Sequence, residues 1–569
     1  MNKVCLFLFL FGLISSATIT TGDLASAISS ANPGDIIEVK AGIYNGVSFG
    51  LKSGTQGKPI TIRAVKNAKV IFAGSSSKCI FDSYGNQYVN IEGPFELKNA
   101  LCGVKLHGAQ HINISGLTIH DTQQHGIVVS GHYNNIFDNT VYNCVMENKA
   151  TATTKEWGWA QCVAVWGTGN SNFSTNIVFK NNKIYNGYGE GLDFLECDTC
   201  SAIGNEITNG FSMNIYIDVS KNILVEGNIL RVTSDLYNTK WGKACGVGLA
   251  PESGKVLLDN ITIKNNVMIG TRMGVYFFTL GKAGGYSNVK ILHNTLWMVS
   301  VTPVWFQAPS NTPVGCEMRN NFFYYDGAID FIPADKWTVA NNYYYNTFNI
   351  PDKYPGLNQK SAHTLELSSI FQNKGNCNYY DMNLNAECLR PSKTPGWLDL
   401  YHGGSKPNIA VTTDISGCTR NAKTPSIGAF EYPAGCGGDV EPDTTDAPPT
   451  DDTTDEYDVK FKINYCTSGS QVVKIVGSHC SWNVGTCTTL KNEGSCNWVE
   501  TIPKATAKTF TYKFVIANGS SAYRWESDPN RNFNGANLKT AVASSTAGTY
   551  EKCSYVKSGT TITLICTWR

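Results

Sequence analysis

The sequence predicts an all-β protein: a parallel β-helix followed by a small C-terminal antiparallel β-sandwich. Three observations carry this reading. An Asn placed before a short apolar pair recurs between Asn139 and Asn342, at spacings mostly in the twenties. A second strand pattern keeps the same period. Beyond residue 457 the texture changes to short alternating strands such as "VKFKINY", "VVKIVGS" and "FTYKFVI". At 569 residues the chain is also too long for one ordinary core, so at least two domains are expected.

Residues 1–17 read as a secretory signal. Lys3 precedes an apolar run from Val4 to Ile14, and Ser15 and Ala17 fit a small-residue cleavage pattern. No later segment is long and apolar enough to span a bilayer. Without Cys5, twelve cysteines lie between Cys79 and Cys436 and six between Cys466 and Cys566, even counts that suit disulfide pairing within separate domains. The expected localisation is therefore secreted and extracellular. Sequons at Asn113, Asn172, Asn260 and Asn518 suit a glycoprotein. A net charge of +1 gives no reason to expect nucleic acid or an anionic membrane as partner. A monomer is expected.

The β-helix is assigned to residues 18–432. "DLASAISSANPGD" reads as a short amphipathic helix capping one open end, and "IIEVKAGIYNG" begins the coils. The recurring asparagines are Asn139, Asn182, Asn205, Asn228, Asn266, Asn294, Asn321 and Asn342. Equivalent residues of successive coils lie one above another, so such asparagines can stack and bond backbone groups at a bend. The second strand recurs as "GVKLHG", "GIVVSG", "CVAVWG", "GLDFLE", "NIYIDV", "GVGLAP", "GVYFFT" and "AIDFIP". Its second and fourth positions are nearly all apolar, as in Leu192 with Phe194 and Ile215 with Ile217, so these face the interior. The third and fifth then face out.

Read down the stack, the outward positions bring Lys105 and His107, then Trp166, Asp193, Tyr216 with Asp218, and Tyr276. Aromatic rings beside carboxylates suit a sugar chain, because rings stack on the apolar faces of pyranoses while carboxylates bind hydroxyls. Two insertions, "VMENKATATTKEWGWA" and "VTSDLYNTKWGKAC", break the coil period at one corner and can wall this surface. They carry Trp157, Trp159, Trp241, Lys240 and Lys243. Lys105, His107, His125, Trp166, Tyr216, Tyr276 and Trp241 are the candidate groove residues; ordinary coil variation is the plainer account of them.

Asp193 and Asp218 form the candidate catalytic pair. Coils stack about 4.8 Å apart and two residues of strand span about 6.6 Å, which puts their backbones about 8 Å apart. That lies within the carboxyl separation of about 6.5–9.5 Å seen in inverting glycosidases, where one acid protonates the leaving oxygen and the other activates water. Glu190, in the turn entering the Asp193 strand, reaches towards the same place, whereas Glu196 leaves the strand at a polar corner. The same three acids, Glu190, Asp193 and Asp218, would instead suit calcium. No cofactor is required by the hydrolytic reading. "CDTC" at Cys197–Cys200 supplies two thiols with no second pair at metal-ligand spacing, so disulfides are expected there. Cys79 and Cys102, one coil apart, can pair between adjacent layers.

Resemblances add to this. "DLASAISSANPGDIIEVKAGIY" and "GTQGKPITIRA" resemble the N-terminal region of the chondroitinase B and alginate lyase family. The later coils look like the pectate-lyase-like superfamily of right-handed parallel β-helices. "EGLD" resembles the acidic "DGxD" element of polygalacturonase-like and pectate-lyase-like β-helices, which serves acid–base work in hydrolases and calcium in some lyases. The lysine that follows the calcium-binding acids in the lyase family has no counterpart in "FLECDTC".

The Asp/Thr/Pro-rich stretch near 433–457 reads as an extended tether. Residues 458–569 resemble the starch-binding domain of carbohydrate-binding module family twenty, through "VGSHCSWNVG", "TYKFVIANG" and "YRWESDPNRNF". The resemblance implies Trp482 and Trp525 as a stacking platform for two glucose units. It also implies Lys513 and Asn530 as hydroxyl binders, Glu526 in support, and Trp498 at a second site. The expectation is a secreted carbohydrate-active protein that binds α-glucan (starch or glycogen) through its C-terminal domain. Its β-helix is expected to cleave a polysaccharide by acid–base hydrolysis. A calcium-dependent lyase and a non-catalytic binding or matrix protein stay open as alternatives.

Overall fold

The computed structural model describes most residues between 17 and 345, shorter stretches between 357 and 431, and most strand residues between 458 and 566. Residues 1–16 of the signal segment, the 433–457 tether and the two insertion stretches 150–159 and 234–243 lie outside the described residues, and so do the "AIDFIP" strand, Glu526 and Asn530. The chain divides into two compact units, Met1–Asp439 and Val440–Arg569.

The first unit is a right-handed parallel β-helix, its strands pairing in parallel with their counterparts one coil on. Helix α1 (Leu24–Ser30) opens it. The Asp23 carboxylate accepts from Ser26 N–H at the N-terminus, and Leu24, Ala27 and Ile28 enter the core. Seven stacked strands matter for the site: β1 (Ile127–His132), β2 (Gln161–Val165), β3 (Glu190–Leu195), β4 (Met213–Asp218), β5 (Cys245–Ala250), β6 (Met273–Phe277) and β7 (Thr302–Phe306). Their register aligns Ile127, Val163, Leu192, Ile215, Val247, Val275 and Val304 in one buried apolar column. Period-two alternation dictates this column, and a slip of one residue would turn every member outward. The β7 strand, "TPVWF", follows "GVYFFT" in the stack and is a coil that the sequence pattern skipped.

The asparagine ladder is present as the spacing predicts. From Asn139 through Asn182, Asn205, Asn228, Asn266, Asn294 and Asn321 to Asn342, each buried side chain accepts from the amide and the backbone N–H of the one before, at 2.8–3.1 Å. The residue preceding each ladder asparagine sits at positive φ, as at Asn181, Gly204, Gly227 and Asn320. That bend aims the amide inward, and residues that tolerate it recur there.

Cys79 pairs with Cys102, Cys144 with Cys162 and Cys377 with Cys388. The expectation of disulfides at "CDTC" is corrected: Cys197 and Cys200 are buried thiols. Thr199 between them is at positive φ, which turns both sulfurs into the coil interior. There they donate to backbone carbonyls of Leu195, Ser174 and Asp198.

The second unit carries a six-stranded and a five-stranded sheet. Pairing is antiparallel except where Asp458–Asn464 runs parallel to Thr561–Cys566.

Candidate functional site

Strands β2 to β5 place the acids. Asp193 pairs in register with Tyr216, Leu195 with Asp218, and Gln161 with Glu190. Asp193 and Asp218 therefore lie on neighbouring coils, diagonal to each other. Asp218 is only partly buried, and its Oδ1 accepts from the backbone N–H of Glu252 at 2.9 Å. The Glu252 carboxylate in turn accepts from the Tyr216 hydroxyl at 2.6 Å. Glu252 is a site residue that the strand pattern missed. It lies two positions past the end of β5, where strand alternation no longer assigns a face. Two residues C-terminal to Ala250, the partner of Asp218, is nonetheless where a returning carboxylate would meet that acid.

Asp193 corrects an expectation. It points away from the coil interior, yet it is 0% exposed. Among the described residues no N–H or O–H donor reaches either carboxylate oxygen. The buried carboxyl of Glu190 lies close enough to act on it electrostatically. Burial pushes the Asp193 carboxyl well above the usual carboxylate range. The nearby Glu190, Asp218 and Glu252 charges push it the same way. Asp193 thus holds its proton to a higher pH than an ordinary aspartate, and burial beside these carboxylates likewise raises its strand neighbour Tyr216.

The outward row of aromatics is also corrected in part. Tyr216 and Tyr276 are 4% exposed and form a second buried layer with Met213, Cys245, Met273 and Phe278. Their rings are consumed by contacts along the stack: Tyr276 meets Phe278 at 5.0 Å and Trp305 at 5.1 Å. Burial pushes the Tyr276 hydroxyl up to about 12. The open part of the row lies on the other side of the acids, towards the N-terminus. There Lys105 Nζ sits 5.9 Å from the Trp166 ring and His107 packs 5.7 Å from it. His125 meets Trp166 edge-on at 5.1 Å, and its Nδ1 donates to the Gln161 carbonyl at 2.7 Å. Burial holds His125 down to about 4 and also lowers His107, with Lys105 adding to both. A cleft of about 400 Å³ opens here, with Glu147, His125, Gln161, Trp166 and Leu195 in its walls. Trp241 lies outside the described residues.

In the second unit Trp482 and Trp525 are 37% and 43% exposed, with ring centroids 6.5 Å apart and tilted by 39°. The two rings present a bent apolar surface to solvent. Lys513, on a central strand, is largely buried. Trp498 is corrected: it is 4% exposed on a strand paired on both sides, so its ring offers no open face to a sugar.

A right-handed β-helix bearing clustered carboxyls and an open aromatic-lined cleft, joined to a unit with an exposed tryptophan pair, defines a carbohydrate-active class of protein. Residues 456–545 match the starch-binding domain model, residues 102–296 the right-handed β-helix region, and residues 19–93 chondroitinase B. A glucoamylase of Neurospora crassa is 29% identical over 164 residues, 27% of this chain and 25% of that protein, so the chain spans about a quarter of its length. Among solved structures, an alginate lyase from Paenibacillus sp. str. FPU-7 is 19% identical over 52% of this chain and 97% of its own, with a TM-score of 0.31. The polygalacturonase from Erwinia carotovora ssp. carotovora is 11% identical over 60% and 96%, with a TM-score of 0.39. The disulfides and the starch-binding match suit an extracellular protein, and among the described residues no helix is long and apolar enough to cross a membrane.

Proposed function

We propose that this is a secreted polysaccharide-cleaving enzyme whose starch-binding unit holds it on α-glucan while the β-helix hydrolyses a glycosidic bond. The observation that carries the reading is the carboxyl cluster. Asp193, raised by burial and by the Glu190 charge, keeps a proton at a pH where an ordinary aspartate has lost it, which is the state a general acid needs. Asp218, partly open to solvent on the next coil, serves as the carboxylate that activates water. Glu252 fixes Asp218 through its backbone N–H, and Tyr216 fixes Glu252. The reading requires the Asp193 carboxyl to become accessible when the sugar binds, because the side chain is 0% exposed.

That same burial favours a second reading, a β-helix that binds polysaccharide without cleaving it. Calcium-dependent elimination is a further use of Glu190, Asp193 and Asp218. Among the described residues, however, no three carboxylates, histidines or cysteines converge in a way that could hold a metal ion. Product analysis on a panel of glucans and uronans, with and without chelator, tests all three. Hydrolysis gives saturated oligosaccharides insensitive to chelation and lowered about 10²–10⁴-fold in Asp193→Asn and Asp218→Asn. Elimination gives ultraviolet-absorbing, chelator-sensitive products, and the binding reading gives none.

A further inference from the structure

The cleft beside the acids carries information about the sugar it takes. Its walls are Gln124, His125, Glu147, Gln161, Trp166 and Leu195. It lies one to two coils before Asp193. Gln161 pairs with Glu190 across the coil boundary, and Leu195 shares strand β3 with Asp193. Because Nδ1–H of His125 is committed to the Gln161 carbonyl, its ring is fixed in one tautomer, with Nε2 as an acceptor. The Gln124 amide donates to the Glu147 carboxylate at 3.4 Å, which steadies that wall. Lys105 approaches the Trp166 ring, and among the described lining residues there is neither lysine nor arginine.

These walls offer a partly exposed indole, two carboxamides, a neutral imidazole and one carboxylate. They suit a ring with hydroxyl groups and an apolar face. They do not suit a carboxylate-bearing sugar, which would meet the Glu147 carboxylate with no cation among the described lining residues to neutralise it. We propose that this cleft is a subsite for an uncharged hexopyranose unit, so the polymer that reaches the acids is a neutral glycan rather than a uronan. This rests on the reading that those acids act on a polysaccharide.

The test uses the full chain carrying Trp482→Ala and Trp525→Ala, which silences the tryptophan pair of the second unit. Calorimetry compares maltoheptaose, cellohexaose and xylohexaose with hexagalacturonate and hexamannuronate. At least one neutral oligosaccharide is expected to bind. Trp166→Ala should weaken that binding tenfold or more. Each uronate should bind at least tenfold more weakly than the best neutral probe, and Glu147→Gln should narrow that gap. The proposal is overturned if a uronate binds more tightly than every neutral probe, if none of the probes binds, or if Trp166→Ala leaves the affinity unchanged. Trp166-dependent neutral binding with no product from any polymer would leave the subsite standing and remove the hydrolytic reading. Cleavage confined to uronans would do the reverse.

Discussion

Replacing Asp193 by asparagine alters one group and little else, since the carboxamide has nearly the same shape and offers Glu190 an N–H to accept. In the native chain Asp193 is fully buried, without a donor, beside Glu190, and its carboxyl is held well above the usual range by burial and by neighbouring charge. An unfolded aspartate ionises near 3.9. Above that pH the unfolded chain releases a proton that the folded chain keeps, so stability falls as pH rises. The contribution is complete below about pH 4 and is lost progressively until Asp193 itself ionises. Between the unfolded and the folded ionisation the native protein therefore loses stability relative to the variant as pH rises, at a limiting slope of about 1.4 kcal/mol per pH unit. Urea unfolding followed by tryptophan fluorescence at several pH values measures it, and the difference between the two proteins cancels every other titrating group. A variant whose stability falls as steeply as the native protein's, or a native protein whose stability relative to the variant rises with pH, refutes the raised ionisation of Asp193.

Four further outcomes are expected. His125, held down to about 4 by burial, should work in the opposite direction: stability is lost as pH falls from about 6.5 towards 4, by about 3 kcal/mol in all, and His125→Gln should flatten that loss in the same urea series. Asn205→Ala removes the acceptor for two N–H groups of Asn182 and two bonds of its own inside the ladder, and should cost about 2–4 kcal/mol in unfolding free energy. Tyr216→Phe deletes the hydroxyl that holds Glu252 and should lower kcat by about tenfold with little change in KM, measured on whichever polymer the panel identifies. Trp525→Ala should lower retention on granular starch by about tenfold or more while leaving cleavage of soluble substrate unchanged, as a pull-down and a product assay would show.

Much of the coil architecture was legible because its rules are local and repeat. An asparagine once per coil and alternation of period two each leave a signature at every turn, and together they placed Leu192, Phe194, Ile215 and Ile217 in the core and Asp193 beside Tyr216. What was not legible is what lies over the outer face. Alternation says only that Asp193, Tyr216 and Tyr276 leave the interior. It is silent on the second layer built from Met213, Cys245, Met273 and Phe278, side chains that consecutive coils contribute. The thiols of "CDTC" were misread for a related reason, since residue counts carry no information about the positive φ of Thr199 that buries both sulfurs. Glu252 fell just past a strand end, where period two lapses. These omissions converge on one physical point. An aspartate on a solvated strand face would be an ordinary ionised carboxylate. The same residue fully buried beside Glu190, Asp218 and Glu252 keeps its proton to higher pH, and only the packing, which no single coil encodes, converts the one into the other.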